Sequence, residues 1–119
     1  MKFSTKRKGK PQQFNTGAQR DTQSGKPRYS LIPVKPLKRV AELYARGADL
    51  YGSRNWELGM PASRLIDSLL RHAFQWELGE MDEDHLAAVI WNAFALMFFE
   101  EERPDLDDVH KKKRRRKKK

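Results

Sequence analysis

The chain has 119 residues, no cysteine and a formal net charge of +9, a length that supports one modest core. The absence of thiols excludes a disulfide framework, a thiol nucleophile and a cysteine-ligated zinc site; the longest apolar run, residues 86–99, falls short of the roughly 20 residues of a bilayer span. Divided along the chain, the charge is +7 over residues 1–28, −7 over 29–110 and +9 over 111–119, so an acidic middle lies between two basic ends.

Residues 1–28 are rich in Lys, Gln, Gly, Ser and Thr, with almost nothing apolar. Such a stretch cannot offset its ordering entropy by burial, so it reads mostly as a flexible arm, with a basic segment over 1–16 ahead of a folded domain over 17–103. The basic start lacks an apolar core and is not a secretory signal. Pro36 suits a first helical turn, Leu37, Val40, Ala41 and Tyr44 follow at helical spacing, and Gly47 is expected to stop that helix. Residues 47–59 hold three glycines with Tyr51, Arg54, Asn55 and Trp56, and read as a structured connection. Pro61 opens a second helix, with Leu65, Leu69, Ala73 and Trp76 on one stripe, ending near Gly79. Asp82, Glu83 and Asp84 open a third, from His85 to about Phe99, and Pro104 prevents its continuation. Strand signals are weak. The predicted class is all-α, a small helical hairpin or bundle of about three main helices joined by short loops. The nine cations of residues 111–119 repel one another and end a disordered tail over 104–119.

The third helical segment is apolar on every side apart from His85 and Asn92, which are seven residues apart and so project from one stripe. Two buried polar side chains on one line suggest a polar pocket or an internal network; the plainer alternative is a structural pair bonded to backbone or to the second helix. On the second helix the apolar stripe centres on Ile66 and Ala73, with Asp67, Arg71 and Gln75 opposite. Glu77 and Glu80 return to the apolar side if the helix persists through Gly79, where i, i+3 carboxylates could share a divalent ion. Asp82, Glu83 and Asp84 add three carboxylates, at least one of which serves the third helix's N-terminus. Residues 77–85 thus hold five carboxylates and one imidazole, a candidate divalent-metal cluster to which His72 is a further candidate. If a polyphosphate is the substrate, cations must face such a cluster, and Lys26, Arg28 and Arg54 are candidates. Gly25-Lys26 is not a P-loop, because neither the spacing nor a preceding strand is present. Tyr51 and Trp56 could stack on a base or plug the core.

An ordered series of motifs carries a family resemblance. Gly17-Ala18-Gln19-Arg20-Asp21 and Gly25-Lys26-Pro27-Arg28-Tyr29-Ser30-Leu31-Ile32-Pro33 come first, followed by Gly47-Ala48-Asp49-Leu50-Tyr51-Gly52-Ser53-Arg54-Asn55-Trp56. Arg71-His72, Gly79-Glu80 and Asp82-Glu83-Asp84-His85-Leu86-Ala87-Ala88-Val89-Ile90-Trp91-Asn92 complete it. Over about residues 17–101 the chain resembles the phage and prophage dATP/dGTP diphosphohydrolase N-terminal domain family, a MazG-like relative of the all-α nucleotide pyrophosphohydrolases. The resemblance implies cleavage of purine deoxynucleoside triphosphates between the α- and β-phosphates, with Mg²⁺ as cofactor and Mn²⁺ as an alternative. It implies catalytic roles for His85, Glu83 and His72, and metal ligation by Glu80, Glu83, Glu77 and Asp84. Substrate contacts fall to Asn55, Trp56, Arg71 and Asn92, which match the family's pattern, beside the cationic candidates Lys26, Arg28 and Arg54 named above. It also implies a homo-oligomer with shared sites, in the cytoplasm of a bacterial host or phage-infected cell and without a membrane partner. One departure stands out: MazG-type enzymes place an aspartate on the third helix three residues after the acidic ligand, where this chain has Ala88. Two other readings compete. The basic ends, with Lys111, Lys112, Lys113, Arg114, Arg115 and Arg116, could bind nucleic acid without sequence choice, or the domain could be non-catalytic.

Overall fold

The computed structural model describes residues 9–110. The chain divides into two compact units, residues up to Ile32 and residues from Pro33 onward. In the first unit, residues 12–20 pair where composition predicts a flexible arm. Strands β1 (Gln12–Gln13) and β2 (Gln19–Arg20) run antiparallel with Gln12 opposite Arg20. The turn closes through backbone bonds, Gly17 N–H to the Phe14 carbonyl and Phe14 N–H to the Ala18 carbonyl, each 2.9 Å. All four strand residues are exposed, so the pairing leaves no apolar alternation in the sequence to betray it. A short 3-10 turn, Tyr29–Leu31, follows.

The second unit consists of three helices: α1 (Val34–Tyr51), α2 (Ala62–Glu77) and α3 (His85–Glu102), with 3-10 turns at Asn55–Leu58 and Pro104–Leu106. The all-α class holds. Helix α1 does not stop at Gly47; it runs on to Tyr51 and ends at Gly52, whose N–H reaches the Ala48 carbonyl at 2.9 Å. A glycine inside a helix weakens it by about 1 kcal/mol without breaking it, and Leu43, Ala48 and Tyr44 around it remain half-buried. The end of α2 is as the sequence predicts. Gly79, at φ +82°, donates to the Trp76 carbonyl and Glu80 to that of Gln75, both at 3.0 Å, a Schellman ending.

Helix α3 explains its own apolar composition. Its buried stripe is His85, Ala88, Asn92, Ala95 and Phe99, and it packs on both α2 and α1. Alanines at two of those positions allow close approach, while Leu65, Ala95 and Phe99 form the core cluster. Trp56 is its aromatic hub, with ring centroids 4.9 Å from Phe98, 6.0 Å from Phe99, 6.1 Å from Tyr44 and 6.2 Å from Trp91. Residues 104–110, predicted as part of a disordered tail, are instead tied to the helices. Leu106 packs on the core cluster, and Asp108 accepts from the Ser63 N–H at 2.8 Å and the Ser63 hydroxyl at 2.6 Å, capping the start of α2. The remaining nine residues, 111–119, lie outside the described residues, as do residues 1–8.

Candidate functional site

Helix α3 begins at Asp84, whose Oδ1 accepts the Ala87 N–H at 3.2 Å. The Arg39 guanidinium grips the same carboxylate through both oxygens, at 2.8 and 2.6 Å, and holds its carboxyl below the usual range. Asp84, a predicted metal ligand, is therefore occupied as a cap and ion-pair partner. Its cap fixes the first turn of α3 and with it His85, which is 2% exposed.

The central finding is a buried pair of histidines. His85 Nδ1 lies 2.8 Å from His72 Nδ1, and His85 Nε2 lies 2.9 Å from Asp82 Oδ1. The hydrogen bond from His85 holds the Asp82 carboxyl below its usual range, so it is ionised and can only accept. His85 thus carries its proton on Nε2. In the neutral ring Nδ1 is left with a lone pair, which accepts the Nδ1–H of His72. Burial pushes His72 below the ordinary histidine range, helped by the charge of Arg71, and it is neutral at pH 7.

His72, Glu83 and His85 each offer one ligand atom within 4.8 Å of the others; Glu80, Asp82 and His85 form a second such group. Together they are a candidate His/Glu metal-binding cluster. It sits between two depressions. An open cavity of about 650 Å³ lined by α1, the 55–58 turn, α2 and α3 has His72 and Glu83 in its wall, and a shallower one of about 440 Å³ has Glu80, Glu83 and His85. The larger cavity also takes in Tyr44, Tyr51, Asn55, Trp56, Trp91 and Asn92, and two arginines, Arg46 and Arg64. The Asn92 amide nitrogen donates to the Ala88 carbonyl at 2.8 Å and to the Ser68 hydroxyl at 3.3 Å. That fixes the orientation of the amide and turns its Oδ1 into an acceptor beside the cavity.

The predicted site residues are thus only partly brought together. His72, Glu83, Asn55, Trp56 and Asn92 share the large cavity; His85 and Glu80 join the cluster from the other side. Glu77 is exposed at the last position of α2, and because Gly79 is left-handed the Glu77/Glu80 pair does not share a helix. Arg54 lies outside the cavity wall, in an ion pair with Glu57 at 2.6 Å. Arg71 is exposed, within 3.5 Å of the Ser68 hydroxyl. Lys26 and Arg28 are exposed in the first unit. Lys111, Lys112, Lys113, Arg114, Arg115 and Arg116 lie outside the described residues. Arg46 and Arg64 are cations the sequence reading misses. The signal for Arg64 is its i, i+4, i+8 spacing with Ser68 and His72, which sets all three on one face of α2.

The donor set can be tested against Mg²⁺, which prefers six oxygen ligands in near-ideal octahedral geometry. With Asp84 bound to Arg39, Glu77 apart and alanine at position 88, the His72, Glu83 and His85 group supplies two imidazole nitrogens and one carboxylate, and of these His72 and Glu83 are in the wall of the large cavity. Two nitrogen donors suit Mg²⁺ poorly, whereas the Glu80, Asp82 and His85 group offers it two carboxylates.

The fold and site define an all-α domain whose helices line an open cleft with aromatic and cationic residues, with His72 and Glu83 of the cluster in its wall. The chain belongs to the dATP/dGTP diphosphohydrolase N-terminal domain family, whose profile matches residues 16–109. It is also 31% identical over 89 residues to a protein of Salmonella phage PMBT28 named dATP/dGTP diphosphohydrolase. The matched part is 71% of this chain and 30% of that relative, so the chain spans less than a third of its length. No solved structure matches. Among the described residues no helix is long and apolar enough to cross a membrane.

Proposed function

We propose that this domain is a divalent-metal-dependent nucleoside triphosphate pyrophosphohydrolase that converts purine deoxynucleoside triphosphates, dATP or dGTP, to monophosphate and pyrophosphate. The observation that carries the reading is the large cavity, which joins aromatic faces and two arginines to the His72/Glu83 end. Tyr51 and Trp56 offer faces for a base, and Asn92 Oδ1 an acceptor for an exocyclic amine or sugar hydroxyl. Arg46 and Arg64 offset phosphate charge and orient the chain of phosphates. Water attacks one phosphorus of the α–β bridge and the bridging P–O bond breaks, giving nucleoside monophosphate and pyrophosphate. The Glu83 carboxylate takes the proton from that water. What a bound divalent ion supplies is positive charge against the phosphates; of the two ions the family resemblance implies, Mn²⁺ accepts nitrogen ligands more readily than Mg²⁺.

The proposal includes a homo-oligomer. Leu86, Ile90, Phe94 and Met97 form an exposed apolar stripe on α3, beside exposed Leu70 and Phe74 of α2. The functional test is incubation of the full chain with each dNTP and NTP under Mn²⁺, Mg²⁺ or Co²⁺, resolving pyrophosphate from phosphate. Monophosphate plus pyrophosphate from dATP or dGTP is the expected result, with Arg64→Ala raising KM more than it lowers kcat. No turnover with any of the three ions, together with no binding of non-hydrolysable dATP or dGTP, overturns the reading.

A further inference from the structure

We infer that His72, His85 and Glu83 form a site for a first-row divalent transition ion, with Asp82 as the positioning residue behind His85. The inference shares only the ion's location with the nucleotide reading and stands whether or not the domain turns over nucleotides.

The argument begins with the imidazole pair. Two nitrogens bound to one ion at 2.0–2.1 Å, at right angles to each other, stand about 2.9 Å apart. The His72 and His85 Nδ1 atoms are 2.8 Å apart. The ring centroids are 5.1 Å apart, so the two nitrogens point at each other along the hydrogen bond, and each ring must turn by about 45° for both to become neighbouring ligands of one octahedral ion. Glu83 brings a carboxylate oxygen within 4.8 Å of one ring nitrogen of each histidine. Two imidazoles and one carboxylate on one side of an ion leave its other positions open toward the large cavity, whose wall includes His72 and Glu83.

Asp82 gives the pair its polarity. By accepting the Nε2–H of His85 at 2.9 Å it leaves Nδ1 unprotonated, the carboxylate–histidine arrangement that orients metal-bound imidazoles. When an ion enters, the proton on His72 Nδ1 moves to Nε2, so His72 stays neutral and both Nδ1 lone pairs face the ion. The alternative group, Glu80, Asp82 and His85, contains two exposed residues and lies away from the larger cavity. Imidazole nitrogen suits Mn²⁺, Fe²⁺, Co²⁺ and Zn²⁺, whereas Mg²⁺ keeps its water and its oxygen ligands. The residues therefore select against the ion that the family resemblance implies.

The experiment is calorimetric titration of the full chain with Co²⁺, alongside the visible absorption of bound Co²⁺ and competition by Zn²⁺ and Mg²⁺. Expected is one Co²⁺ per chain, displaced by Zn²⁺ and not by a hundredfold excess of Mg²⁺. His72→Gln and His85→Gln each weaken binding at least about 100-fold, and Asp82→Asn by about 10–100-fold. His110→Gln changes nothing, since the third histidine of the chain lies in an exposed pair with Asp107. Far-ultraviolet circular dichroism tests folding of the variants, and if buried His72→Gln or His85→Gln unfolds, exposed Glu83→Gln carries the test with the same loss of binding expected. Displacement of Co²⁺ by equimolar Mg²⁺ overturns the inference. So does wild-type affinity in His72→Gln with binding lost in Glu80→Gln, which would move the ion to the other group. Failure to bind Co²⁺ or Zn²⁺ at all reduces the pair to a hydrogen bond and also overturns it.

Discussion

Three glycines of the helical unit have opposite consequences when replaced by alanine, and together they test the packing. Gly59 ends the 55–58 turn at φ +113° and ψ 142°, a region open essentially to glycine alone. A Cβ there also falls 2.9 Å from Leu106 Cδ1 and 3.3 Å from Arg103 Nη1. Backbone strain costs about 1–3 kcal/mol and overpacking a further 1–3 kcal/mol. Gly59→Ala therefore costs about 2–6 kcal/mol, a fall in Tm of at least about 8 °C for a domain of this size. Gly79, at φ +82°, has nothing within 4 Å of its ideal Cβ, so Gly79→Ala pays only the backbone term, about 1–2 kcal/mol. Gly47 lies inside α1, also with open space, and Gly47→Ala stabilises by about 0.5–1 kcal/mol. Thermal unfolding followed at 222 nm ranks the variants, and a double-mutant cycle of Gly59→Ala with Leu106→Ala measures the clash directly, with an expected coupling of at least about 0.5 kcal/mol. A lower Tm for Gly47→Ala refutes the continuous α1. A Gly59→Ala loss no larger than that of Gly79→Ala, with no coupling to Leu106, refutes the docking of residues 104–106 against the turn.

The C-terminal anchor responds to acid. Backbone and side-chain hydrogen bonds from His110 hold Asp107 down to about 2, and the Ser63 hydroxyl and N–H hold Asp108 below its usual range. Both carboxyls are depressed in the folded state, so their contribution is present above the unfolded value of about 3.9 and is lost as pH falls toward 2. The Ser63 amide resonance is expected to titrate with a midpoint below 3.9, and Asp108→Asn to shift it at neutral pH; an amide that does not respond refutes the cap. The apolar stripe of α3 predicts self-association that Phe94→Glu weakens at least about tenfold, read by sedimentation equilibrium. A wild-type chain that is monomeric at 100 μM removes that face from the oligomer proposal.

What the sequence makes legible follows the range of the interactions concerned. The Gly79 ending, the start of α3 and the shared stripe of His85 and Asn92 all depend on neighbours within two helical turns, and they can be read from spacing. Gly47 misleads for the same reason: a local breaker signal is outweighed by side chains that α1 buries against α3, which spacing cannot rank. Arg39 with Asp84 and Ser63 with Asp108 are 45 residues apart in sequence, and nothing local announces either pair. They matter for the site, since the first takes away a predicted metal ligand.

Position 88 shows why a local departure can be misjudged. Against the MazG pattern, alanine there reads as the loss of a ligand, because no substitute is visible along α3. In the structure Ala88 is buried and its carbonyl anchors Asn92, one turn further on. The polar group nearest that end of the stripe comes from α2, where His72 meets His85 at 2.8 Å. The register between α2 and α3 places it there, and the burial of Leu65 seven residues earlier on the same face helps to set that register. A carboxylate absent from one helix and an imidazole present on the next are thus two parts of one arrangement. In the metal site inferred above, nitrogen takes the place of hard oxygen donors, and the chemistry that follows depends on which ion the site holds.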